Sequence, residues 1–226
     1  MGAYPLTNTS LDADRTHELG SWRDALRRRI EGRYPIDPFG ADLQLQDALW
    51  PLVGPVVRLE VDHAERLPEV GAAVLLANRG LGVGEPLALG VAVRKVVRRR
   101  LRVVGAPDLP LARELFHRLG AVGSRHEDLG AVLRAGHLAA VPLGPTWLRT
   151  GAGEPPLPLL VAALGFPVIP VAVRPGGPLG LPLRPWRVTV GRPIEQLPGV
   201  GRGDTLAAAE LAERARVAVE GMLAAG

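Results

Sequence analysis

The sequence predicts one α/β domain whose mostly parallel central sheet is flanked by helices. Three observations carry this. Short apolar runs alternate with stretches of helical periodicity from Ala73 to the C-terminal region. The apolar run "AAVLLANRGLGVGEPLALGVAV" (Ala72 to Val93) has the form of a buried strand ending in a polar Asn-Arg pair, a glycine-broken turn and an apolar helix. The length of 226 residues, with 47% hydrophobic and 22% charged residues, suits a single buried core rather than two.

Taken in order, residues 1–10 carry no pattern, and Ser10 with Asp12 and Asp14 starts a helix running to about Arg29, which Gly32 and Pro35 stop. The chain thus divides into an N-terminal tail with a basic amphipathic helix (1–33) and an α/β domain (34–226). The stretch "ADLQLQDALWPLVGPVV" is helical, kinked or divided at Pro51, and leads into a strand over Val56–Asp62. Strands follow at Ala73–Asn78, Leu101–Val104, Leu138–Val141, Val168–Val173 and Arg187–Val190. Helices are expected at about 86–98, 109–119, 126–135, 157–165 and 205–224. Ser124 stands three residues before Glu127, the spacing of a capping box, so it caps a helix. The last helix places Leu211, Ala215, Val219, Met222 and Leu223 on one face, which packs on the core.

Composition narrows the function. With no cysteine, disulfides and thiolate metal sites are excluded. The N-terminus lacks the charged-then-apolar pattern of a secretory signal, and the longest apolar run, "LPLLVAALGFPVIPVAV", is shorter than a membrane span and broken by Gly165, Pro167 and Pro170. A cytoplasmic protein, peripheral to the inner membrane face if membrane-associated, is the expectation. Net charge is only +4, so no specific nucleic-acid binding is expected. The cations do cluster, in Arg23–Arg33 and Arg94–Arg102. In the first cluster Trp22, Leu26 and Ile30 repeat beside arginines, which suits a helix in a lipid interface or an ordinary docked helix. The second marks a helix C-terminus favoured by the dipole, or an anionic-lipid contact. "GLGVGE" lacks the Gly-Lys-Ser/Thr ending of a phosphate-binding loop, and no cofactor motif is present.

Four segments, "GAAVLLANRGLGVGEPLAL", "LARELFHRLGAVGSRHEDLGAVLRAGHLAAVPLG", "LGFPVIPVAV" and "VTVGRPI", resemble the glycerolipid acyltransferase family, which contains the 1-acylglycerol-3-phosphate acyltransferases. The resemblance runs from about Arg33 onward. It implies a glycerolipid acyltransferase-like α/β fold, a glycerophospholipid or acyl chain as ligand, and acyl-CoA or acyl carrier protein as co-substrate if the chain is active. The family's strand-end motif is Asn-His-x-x-x-x-Asp, in which the imidazole deprotonates the acceptor hydroxyl. With Asn78 in register, Arg79 takes the histidine position and Gly84 the aspartate position. Arginine has no lone pair to offer. The Phe-Pro-Glu-Gly-Thr-Arg motif aligns with "VPLGPT", keeping Pro142 and Gly144, while "GAVGSR" keeps Arg125 as the phosphate-binding candidate.

Scaffold is therefore kept and chemistry lost. The expected function is a lipid- or acyl-binding pseudoenzyme with Arg79, Arg125 and Gly144 at the ligand. Arg79 either pairs with Glu85 or joins the backbone N–H groups near Gly82–Glu85 in an anion site. The alternatives are an active acyltransferase with a displaced base, Glu85 or His126, and a regulatory partner of an active paralogue. Replacing Arg79 with His and Gly84 with Asp is the reconstruction by which slow transfer would return.

Overall fold

The computed structural model describes residues 27, 28, 30–32, 34–78, 84–105, 113–123, 125–143, 161, 164–176, 185–194 and 204–225. Five helices are described: α1 (Leu43–Val53), α2 (Gly84–Val97), α3 (Arg113–Arg118), α4 (His126–Arg134) and α5 (Thr205–Ala224). The strands are β1 (Leu59–Asp62), β2 (Ala73–Asn78), β3 (Leu101–Val104), β4 (Ala121–Val122), β5 (Leu138–Leu143), β6 (Val168–Arg174) and β7 (Trp186–Val190). They form one sheet in the order β1-β7-β6-β2-β5-β3-β4. Five of its six neighbouring pairs are parallel, and only β6 and β7 run antiparallel.

A strand buried on both faces needs apolar residues at successive positions, and β2 has them. Ala73, Leu75 and Ala77 join Ala88, Leu89, Ala92 and Val93 of α2 in one core cluster. Val74 and Leu76 meet Leu129, Val132 and Leu133 of α4 and Leu211 and Ala215 of α5 in the other. Helices therefore cover both faces, as the alternation of elements predicts. Pro170 is tolerated inside β6 because the ladder with β7 stops one residue later, at Val171 opposite Val190. Gly191 then turns the chain so closely that a β-carbon there would lie 2.7 Å from Pro170 Cγ. Its N–H donates to the Pro170 carbonyl at 2.8 Å.

The last helix spans the residues the sequence predicts, and buries Ala208, Leu211, Ala215 and Val219. Asp204 caps its start by accepting from Ala207 N–H at 3.0 Å. Arg174 closes its end, donating to the Met222 and Leu223 carbonyls at 2.5 Å each. Asp204→Ala is expected to cost about 1 kcal/mol, read as a lower urea midpoint at unchanged slope.

Several boundaries differ from the sequence expectation. Pro51 does not divide α1, which runs on to Val53. The missing N–H would have met the Asp47 carbonyl, and so near the C-terminus only the last turn is affected. The first strand starts at Leu59 rather than Val56, and the two-residue β4 was not expected. Helix α3 is described only from Arg113. The helices expected over Ser10–Arg29 and 157–165 lie largely outside the described residues.

The larger correction concerns the basic run Arg94–Arg102. Arg94 and Lys95 do occupy the last turn of α2. Beyond it, however, Arg99, Arg100 and Arg102 are buried. Arg100 donates to Asp47 Oδ2 at 2.7 Å, Arg94 bonds the other oxygen of the same carboxylate, and Arg102 pairs with Asp37. Arg99 donates to the carbonyls of Pro68 (3.1 Å) and Gly136 (2.7 Å). Arg94 and Arg102 also lie over the rings of Trp50 and Phe39. A run that reads as a cationic stripe is largely an internal brace, because α1 and the segment before it bring carboxylates over β3. Among the described residues no helix is long and apolar enough to cross a membrane.

Candidate functional site

Open parallel sheets bind ligands beyond the carboxyl ends of their strands. Here β2 ends at Asn78, in register with Leu143 at the end of β5. The Asn78 side chain extends the sheet beyond the last main-chain pair. Its Nδ2 donates to the Val173 carbonyl at 2.9 Å, and its Oδ1 accepts from Val173 N–H at 2.6 Å. Both partners are backbone groups of β6, so the amide replaces a ladder step and holds the tip of β2. Asn78→Ala leaves that donor and acceptor unpaired in a half-buried place. The expected loss is about 1–3 kcal/mol in denaturant unfolding, and Asn78→Asp, which supplies no donor for the carbonyl, is expected to be no better.

Arg79 and Gly144, the residues that follow Asn78 and Leu143, lie outside the described residues, as does the expected pairing of Arg79 with Glu85. Gly84 and Glu85 open α2. Gly84 lies against Trp186, which is 7% exposed. A β-carbon built on Gly84 would lie 2.7 Å from Cη2 and 3.0 Å from Cζ2 of that ring. The place where a side chain at position 84 would project is filled by tryptophan. Glu85 is half-buried and makes no hydrogen bond or ion pair with another described residue.

Arg125 and His126 follow β4, at the same carboxyl edge of the sheet. The order β2-β5-β3-β4 puts three strand spacings between them and Asn78, about 14 Å. The cap of α4 is Arg125, not the expected Ser124, and it makes no side-chain capping bond; the helix starts one residue later than the capping-box spacing implies. Ser124 itself lies outside the described residues. Glu127 and Asp128 supply the negative charge that the first turn favours. Arg125 is exposed. The backbone of His126 begins α4, and its side chain lies outside the described residues.

His63, His117 and His137 have structural surroundings, and His17 lies outside the described residues. His117 meets the Ala121 carbonyl through Nδ1 at 3.0 Å, His137 stands edge-on to the Phe39 ring, and His63 is exposed beside Glu65. No group of three or more His, Asp or Glu able to hold a metal occurs among the described residues. The Glu213 carboxyl is held below its ordinary range by hydrogen bonds from Arg216, whose own pKa is raised. Both lie on the exposed face of α5.

Trp186 is the site residue that sequence reading missed. With the strand begun at Arg187, Trp186 falls just outside it. The alternation Trp186, Val188, Val190 was the signal, since all three point into the same cluster.

No protein-family model matches the chain. An uncharacterized protein of Mycobacterium leprae is 33% identical over 131 residues, covering 51% of this chain and 35% of that protein. An uncharacterized protein of Mycobacterium tuberculosis strain H37Rv is 33% identical over 130 residues, covering 51% and 36%. The chain thus spans about a third of the length of the curated relatives it matches. Among solved structures, the 1-acyl-sn-glycerophosphate (LPA) acyltransferase PlsC from Thermotoga maritima is similar, with 16% identity over 94% of this chain and 87% of that one and a TM-score of 0.46.

Proposed function

We propose that this chain is an acyltransferase-fold protein that binds an acyl chain or glycerophospholipid at the carboxyl edge of its sheet and transfers little or nothing. The observation that supports it most is the Trp186 ring against Gly84. Acyl transfer from a thioester to an alcohol needs a base of near-neutral pKa, worth about 10²–10⁴ in rate. Position 79 carries an arginine without a lone pair, and position 84 carries no carboxylate and has no room for one. Arg79, Arg125 and Gly144 remain as ligand contacts, with Arg125 engaging a part of the ligand distant from Asn78.

Native mass spectrometry of the purified protein, with lipid extraction and an acyl-CoA hydrolysis and transfer assay on the same sample, tests this. The expected result is a bound acyl chain or lipid and turnover no higher than a heat-killed control. Turnover above that control would overturn the proposal.

A second reading is favoured by one observation, the half-buried Glu85 in the first turn of α2, which pairs with no other described residue. There it would serve as a displaced base for an alcohol acceptor with acyl-CoA or acyl carrier protein as donor, with His126 as the other candidate. Glu85→Gln or His126→Ala would then abolish turnover in a folded protein. Turnover that survives both substitutions removes this reading.

A further inference from the structure

The corner between α1 and β1 is apolar and exposed. Pro51 and Pro55 are exposed there, Leu52 is 59% exposed and Val56 64%. Lys95 of α2 donates to the Val57 carbonyl at 3.1 Å, and Arg94 lies 4.7 Å from the centre of the Trp50 ring, so the cationic end of α2 is fixed beside this corner. Arg98 follows one turn after Lys95, and Arg58 follows the corner itself; all three are exposed.

Arg27, Arg118, Arg187, Arg214 and Arg216 each pair with a surface carboxylate. Arg58, Lys95 and Arg98 have no carboxylate partner among the described residues. Arg98 also holds a left-handed backbone, φ +56°, just past the helix end, where glycine is the ordinary occupant. That conformation strains an L-residue, and what arginine supplies there in return is a cation.

We infer that this corner docks on an anionic lipid bilayer, Leu52 and Val56 entering the headgroup boundary while Arg58, Lys95 and Arg98 meet lipid phosphates. Exposed apolar side chains beside cations that have no carboxylate partner among the described residues match the two layers of such a surface, an apolar interior beneath an anionic plane. An acidic protein face would satisfy the cations and leave Leu52 and Val56 without a matching phase. The surface differs from the one the sequence suggests, since Arg99, Arg100 and Arg102 of the basic run are turned inward. The inference does not rest on acyl binding at the carboxyl edge.

Co-sedimentation of the full chain with phosphatidylcholine vesicles, with and without phosphatidylglycerol, tests it at low and high salt. Neither lysolipid nor acyl-CoA is present, so the outcome is independent of the acyl-binding proposal. Binding is expected only with phosphatidylglycerol and is expected to fall steeply with salt. The pair Arg58→Gln and Arg98→Gly is expected to weaken it by about 10- to 30-fold, at roughly fivefold per cation. Arg98→Gly relieves the left-handed backbone, so lost binding there does not come from lost folding. Leu52→Ser with Val56→Ser is expected to weaken binding at both salt levels. The inference is overturned by equal binding to phosphatidylcholine alone, by no binding to either vesicle, or by undiminished binding of both double variants, which would move the contact to another segment such as Arg23–Arg33.

Discussion

Gly84→Asp is expected to destabilise the protein by about 2–3 kcal/mol and to restore no acyl transfer, alone or with Arg79→His. Electrostatics by itself predicts the opposite sign. A carboxylate in the first turn of α2 would meet the positive end of the helix dipole, a gain of about 0.3–1 kcal/mol. Packing decides the matter. A β-carbon at this position meets two atoms of the Trp186 ring at 2.7 and 3.0 Å, and the ring is held in the core by Val188 and Val190. Either the helix start or the indole must move. Gly84→Asn carries nearly the same steric cost without the charge, so the difference between the two variants isolates the dipole contribution. Trp186→Ala removes the obstacle and leaves a cavity, costing about 3–5 kcal/mol alone. Adding Gly84→Asp to Trp186→Ala is then expected to cost less than the substitution does in the parent protein. Urea midpoints of the four proteins read this directly. A Gly84→Asp protein as stable as the parent would refute the packing account, and with it the chief support for a silent site.

Much of the sheet was legible because its cause is local. Ala73–Asn78 and Leu101–Val104 fall where the sequence places them, since a continuous apolar run bounded by turn residues has few other uses. The last helix was legible from its apolar spacing and its following residues. Three features were not. The two-residue β4 exists only because β3 lies beside it, at Val103–Ala121 and Val104–Val122. The burial of Arg100 and Arg102 depends on Asp47 and Asp37, more than fifty positions away, and that of Arg99 on the carbonyls of Pro68 and Gly136; the run alone reads as surface. Trp186 becomes part of the site only through a contact a hundred residues from Gly84. That positions 79 and 84 carry arginine and glycine was plain in the sequence; that the space beside Gly84 is filled by Trp186 was not.

Asp47→Ala is expected to cost about 3–5 kcal/mol, a large share of the 5–15 kcal/mol typical of a whole domain. Its side chain is 5% exposed and accepts from Arg94 on one oxygen and Arg100 on the other. Removing the carboxylate takes the Asp47 ion pair from two guanidinium groups whose side chains are 13% and 6% exposed. Uncompensated buried charge is the expensive outcome, more so than the loss of the bonds. The test of that cause is a double-mutant cycle. Arg100→Met keeps the stem and removes one of the two charges, so Asp47→Ala with Arg100→Met is expected to be more stable than Asp47→Ala alone. A coupling of about 0.5–3 kcal/mol is expected, measured by denaturant unfolding. Additive costs would mean that water reaches the arginines and screens them. The consequence extends to the site. Asp47 belongs to α1, and Arg94 to the helix whose first residues are Gly84 and Glu85. The brace therefore fixes the far end of the element that presents those residues. In Asp47→Ala, hydrogen exchange is expected to rise along α2 before it rises in β2, since the strand keeps its two ladders and the Asn78 clasp.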